Sequence, residues 1–214
     1  MYGLRLALMI LLVLFLWVPY AQAASCAKPP RPTVLVNASK AKPLNIKRIT
    51  RSSLIRKAGM PYVRGLTTVK KFNRYQFKFG LQNQRNGTLC LYVTNLTMAV
   101  GYKDTQVYMD NSYPPGSCEF RVIKAHELKH VRIYNDSLLK ELGQLKRSIQ
   151  HTLSSLTQRT NRQNLKRSQV RMERKVKRLV QSSFKRLQRK AKLANNRIDT
   201  RSAYQREQRK CRNW

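Results

Sequence analysis

Residues 125–131 read Ala125-His126-Glu127-Leu128-Lys129-His130-Val131, and they hold two of the three histidines in the chain. An α-helix advances about 100° per residue, so side chains at i and i+4 stand above one another on one face. A helix through this stretch therefore aims both imidazoles at a common point, and zinc accepts imidazole nitrogen at about 2.0–2.1 Å. Glu127 lies beside the first histidine on an adjoining face. That sets a carboxylate next to the metal without filling a coordination position, where it serves as a proton carrier between water and a leaving group. This is the His-Glu-x-x-His arrangement of zinc metalloproteases. The bland alternative is a pair of exposed histidines on a basic helix. In its favour, Lys124, Lys129 and Arg132 are charged where site helices usually carry uncharged residues.

Working outward, Phe120, Ile123, Leu128, Val131 and Leu138 recur at helical spacing, and Leu142, Leu145, Ile149 and Leu156 extend the seam. Upstream the period changes to two. Tyr75, Phe77 and Phe79 alternate with Gln76 and Lys78, and Leu96, Met98, Val100 and Tyr102 share one face of a second strand. Residues 101–106 (GYKDTQ) read as a turn into a short strand, Gln106 to Asp110, which would pair antiparallel with the strand before it. That short strand is also a candidate edge for an extended peptide. Downstream of a connection at 155–164 (SLTQRTNRQN), a second seam runs from Leu165 to Leu193 through Met172, Val176, Leu179, Phe184, Leu187 and Ala191. Between Gln158 and Arg197 stand fifteen Lys or Arg and one acid, Glu173. These patterns predict an α+β fold, in which a small antiparallel sheet packs on the site helix and a long basic C-terminal helical hairpin follows.

The chain carries 44 Lys+Arg against 9 Asp+Glu, a net charge of +35. Such a charge attracts polyanions but specifies neither fold nor partner. The first residues decide which polyanions are relevant. Leu6 to Val18 is an unbroken apolar run behind Arg5, ended by Pro19, with Ala21-Gln22-Ala23 fitting a small-x-small cleavage site. The run is shorter than the roughly 20 residues a membrane span needs, so 1–23 reads as a cleaved signal peptide and the protein as secreted or periplasmic. An uncleaved anchor is the alternative. Ala23-Ala24-Ser25 lacks the leucine a lipoprotein site at Cys26 would show.

In that setting Cys26, Cys90, Cys118 and Cys211 read as two disulfides with three possible connectivities. Residues 24–59, rich in Pro, Lys and Arg, read as a basic extended lead-in, ordered in part at most. Residues 60–157 form the α+β domain, and 158–214 a basic amphipathic helical tail that holds the protein on anionic envelope polymers or a membrane surface. The tail lacks the stacking aromatics of a single-strand binder, with Phe184 alone between Leu165 and Leu193, so nucleic acid is disfavoured. Oligomeric state is not encoded in any of these patterns.

On the segment Pro61 to Leu142, with YVRGLTT (62–68), GSCEF (116–120) and HELKHVRI (126–133), the sequence resembles the zincin metallopeptidases. More narrowly it resembles a family of secreted bacterial proteins read as zinc-dependent proteases. The resemblance implies one Zn²⁺ per chain on His126 and His130, Glu127 as general base, an antiparallel sheet beside the site helix, and a peptide or protein substrate. A catalytic zinc also needs a third protein ligand. Asp136 stands where a metzincin-like pattern places it, although that pattern turns the chain at a glycine and position 133 is Ile. Asn135-Asp136-Ser137 would have to cap a new helix to bring Asp136 back. Glu141 is the alternative, and Glu119 and His151 are further candidates. Tyr134 is a candidate oxyanion donor. The competing functional class is a non-catalytic cationic binding protein of the envelope.

Overall fold

A computed structural model describes residues 26–84, 87–212 and 214; the expected signal peptide, 1–23, lies outside them. The elements in chain order are β1 (Thr33–Ser39), β2 (Pro43–Ile49), α1 (Arg51–Ala58), β3 (Gly65–Asn83), β4 (Leu89–Asp110), α2 (Cys118–Ser155), β5 (Thr157–Thr160), α3 (Leu165–Ile198) and α4 (Arg201–Gln208). The fold is mixed α/β.

β4 is the axis of the sheet. β3 runs antiparallel along one side of its whole length. On the other side β5, β1 and β2 lie in succession, β5 antiparallel against Leu89–Tyr92 and β1 and β2 parallel against residues 95–101 and 105–110. The sheet is therefore mixed rather than antiparallel as expected. The parallel strands come from the lead-in, which is ordered along β4 instead of loosely extended. Its composition hid this because an outer strand contributes mainly backbone hydrogen bonds: in β1 only Val34 is buried. Pro43 fits as the first residue of β2, where no donor is lost from within the strand.

Residues 101–106 are not a turn. β4 continues through them with a register shift opposite Thr68 and Lys70, at Asp104 (φ 50°). A second shift lies opposite Lys78 and Phe79. Each extra residue is a bulge that flips the parity of β4. Leu91 and Val93 face the core first, then Leu96, Met98, Val100 and Tyr102, then Val107 and Met109. Gln106–Asp110 is therefore interior to the sheet, flanked by β2 and β3, and among the described residues the sheet edges are β3 on one side and β5, β1 and β2 on the other. Gly101 (φ 149°) pairs with Ser39, and a Cβ there would come within 2.0 Å of the Ser39 carbonyl oxygen.

α2 and α3 pack antiparallel over one face of the sheet. Ser117 caps α2, its hydroxyl accepting from Phe120 N–H. Leu145, Ile149 and Leu153 meet Met172, Val176, Val180 and Phe184 above Leu91, Val93, Leu96, Met98 and Val100. Leu128 and Leu193, read as seam residues, are exposed. Two disulfides close the molecule, Cys26–Cys90 and Cys118–Cys211, and no described helix is long and apolar enough to cross a membrane. Cys118–Cys211 spans 93 residues and ties the start of α2 to the chain end beyond α4. Replacing both cysteines with serine is expected to lower unfolding free energy by ~2–5 kcal/mol. Urea denaturation would read this as a lower midpoint.

Candidate metal centre

His126 and His130 lie on the face of α2 that meets the C-terminal end of α3, and both are buried (3 % and 7 % exposed). The chain breaks there between two helices. Thr200 caps α4 by accepting from Ala203 N–H, and Asp199 is the last residue before it, its own N–H bonded to Asn195 O. The break turns the Asp199 carboxylate back toward α2.

Three atoms converge as a result. His126 Nε2 and His130 Nε2 each stand 3.1 Å from Asp199 Oδ1, and 3.2 Å from each other. No placement of protons makes all three contacts attractive. If both Nε2 atoms carry hydrogen, two N–H groups collide; if one does, the other lone pair faces the carboxylate. Asn195 Oδ1, 2.9 Å from His130 Nδ1, accepts the Nδ1 proton and leaves Nε2 as the free lone pair, as metal ligation requires. Ligands of a tetrahedral zinc at about 2.0–2.1 Å lie about 3.3 Å apart, close to the spacing here. The donor set of two imidazoles and a carboxylate thus fits a divalent cation.

The electrostatics are consistent with a charged centre. Burial pushes the Asp199 carboxyl up, but the two imidazoles beside it, His126 and His130, outweigh burial and hold it well below the usual carboxylate range. Burial disfavours charge on His130, yet Asp199, Glu127 and Asn195 together raise its pKa. Tyr204 donates its hydroxyl to Asp199 Oδ1 at 3.2 Å, and its ring packs 4.8 Å from that of His126.

Glu127 points to the other side, toward β3, and is 1 % exposed. Thr67 Oγ1 donates to its Oε2 at 2.8 Å. Its Oε1 is buried with no hydrogen-bond partner among the described residues. Burial raises its pKa, against the lowering influence of His130, His126 and Thr67. Gly65 makes room for it: a Cβ at position 65 would sit 2.3 Å from Oε1. A cavity of about 500 Å³ opens beside the centre, lined by Gly65, Thr67, Tyr102, His130, Tyr134 and Asp199 among others, with His126 and Glu127 outside its lining.

The other expected ligands fall elsewhere. α2 continues through 135–137 without a new cap, so Asp136 stays exposed on the helix surface, away from the histidines. Asn135 instead clamps the backbone of Ala41 from both sides, accepting at 2.7 Å and donating at 3.1 Å. Glu141 is buried but bound to Arg186 (2.8 Å) and Lys190 (3.2 Å). Glu119 sits in the first turn of α2, and His151 lines a separate surface cavity with Lys28, Arg31 and Arg147. Tyr134 reaches the main cavity.

Asp199 had a trace in the sequence. It is one of three acids after residue 157, with Glu173 and Glu207, and the Asp-Thr pair before Arg-Ser-Ala carries a helix-start signal at Thr200. Asn195 continues the buried stripe Val180, Phe184, Leu187, Ala191, a polar residue where apolar ones are the rule. Comparison with protein-family models, with curated proteins and with solved structures gives no match.

Proposed function

We propose that the protein is an exported metal-dependent hydrolase acting on peptide bonds, with zinc held by His126, His130 and Asp199. The observation that supports this reading is the triangle of three donor atoms 3.1–3.2 Å apart, a spacing that suits a shared divalent cation. Zinc there supplies Lewis acidity to a carbonyl and acidifies water. The protein's own contribution begins with Asn195, which fixes the tautomer of His130, and Tyr204, which steadies Asp199. Glu127, held by Thr67 through one oxygen, keeps the other free to take up and release a proton. The cavity runs along the start of β3, whose outer edge is open to an extended substrate chain. Two disulfides suit an oxidising, extracytoplasmic setting.

A second reading, a non-catalytic binder of anionic envelope polymers or membrane surfaces, draws on the net charge of +35 and the exposed cationic face of α3. Elemental analysis of the purified protein decides first. About one zinc per chain is expected, removed by a chelator with a fall in melting temperature and restored by added Zn²⁺. Imidazole and carboxylate donors also suit iron(II), which the same measurement identifies. Metal-free protein whose melting temperature ignores both chelator and added metal would leave the binder reading standing.

A further inference from the structure

Beyond the metal centre, two lysines stand in the wall of the cavity. Lys71 on β3 lies directly across from Tyr102 on β4, and both line the cavity together with Lys192, Gln188 and Asn196 from α3. Neither lysine has an acidic partner among the described residues, as holds for most lysines in a chain with 44 Lys+Arg against 9 Asp+Glu; what sets this pair apart is its place in the cavity lining. The Tyr102 hydroxyl is buried with no hydrogen-bond partner among the described residues. The single carboxylate in the lining is Asp199, already engaged by both histidines and Tyr204.

Position on the strand explains why Lys71 matters. Gly65, Thr67, Val69 and Lys71 share the odd-numbered face of β3, which turns toward the helices, whereas Lys70 points the other way and meets Asp104. Lys192 stands one helical turn before Asn195 and Asn196. Two lysines, both exposed to solvent, are thus brought to the lining of one concave site from elements far apart in sequence, and a concave wall of one charge sign raises the local concentration of anions. A carboxylate there receives two charge-assisted hydrogen bonds.

We infer that Lys71 and Lys192 form a carboxylate-recognition subsite, which selects substrates bearing an acidic side chain or a free C-terminus next to the bond at the metal. The inference rests on the hydrolase reading for the word substrate, but the binding it predicts does not require turnover.

The test is calorimetric titration of the full mature chain at physiological salt, with zinc content measured on the same samples. The probes are three peptides: Ac-Ala-Glu-Ala-Ala-NH2, its Gln counterpart, and the Gln peptide with a free C-terminal carboxylate. At least one carboxylate probe is expected to bind about tenfold more tightly than the neutral peptide; which one does identifies the side chain or the terminus as the recognised group. Lys71→Gln with Lys192→Gln should reduce that preference to about twofold or less. Lys175→Gln with Lys185→Gln removes the same charge from the exposed face of α3 and should keep it. Equal binding of all three peptides, no measurable binding of either carboxylate probe, or equal loss in both double variants would overturn the subsite. A preference that persists in metal-free protein whose melting temperature also ignores added Zn²⁺ would uphold the subsite while removing the metallohydrolase reading.

Discussion

Replacing Glu127 with glutamine is expected to leave about one zinc per chain and to lower peptide hydrolysis by roughly 10²–10⁴-fold, the usual contribution of a positioned general acid–base group. The substitution suits the site because it changes so little else. Glu127 Oε2 accepts a hydrogen bond from Thr67, and the amide oxygen of glutamine still accepts it. What disappears is the proton-accepting capacity at Oε1, the oxygen left without a partner. The carboxylate is not a member of the donor triangle, so metal content should not move. The measurements are elemental analysis and turnover of a fluorescently labelled acidic protein such as casein. Unchanged turnover with full metal would remove Glu127 from catalysis; loss of the metal would place it in the binding site instead.

The second large effect concerns the third donor. Asp199→Ala should weaken zinc binding by more than about 100-fold, since loss of an outer-shell partner alone costs 10–100-fold and Asp199 supplies one of three contacting atoms. Asp136→Ala should bind as the unaltered protein does, because Asp136 is exposed on the far surface of α2. Competition against a chromophoric zinc chelator reads both. Equal affinity of the Asp199 variant and the unaltered protein would dismantle the centre, because two imidazoles from one helix turn would then suffice without the chain's end.

Local periodicity made the core of this site legible. His126 and His130 lie on one face because they are four apart on a helix, and the helix is called for by Ile123, Val131 and Leu138 around them. The same logic exposed the inward faces Tyr75-Phe77-Phe79 and Leu96-Met98-Val100-Tyr102, all of which face the core or pack against it. Where local pattern misled, a non-local partner was responsible. Residues 101–106 contain the glycine and aspartate of a turn, yet β2 and β3 on either side of 105–110 hold the segment in one long strand with a bulge. Before position 59 only Thr33 to Val36 carries a short β-like run, because β1 and β2 draw most of their stability from hydrogen bonds to β4.

Two imidazoles and a neighbouring acid were fixed by sequence alone, as were the alternating faces of β3 and β4 and the even number of cysteines. The identity of the third donor, the mixed polarity of the sheet and the pairing of those cysteines were decided by tertiary structure. A helix turn spans a few residues, so its geometry is written in nearest-neighbour spacing. Asp199 meets His126 across 73 positions, through the length of α3 and the break that ends it, and no spacing rule carries over such a distance.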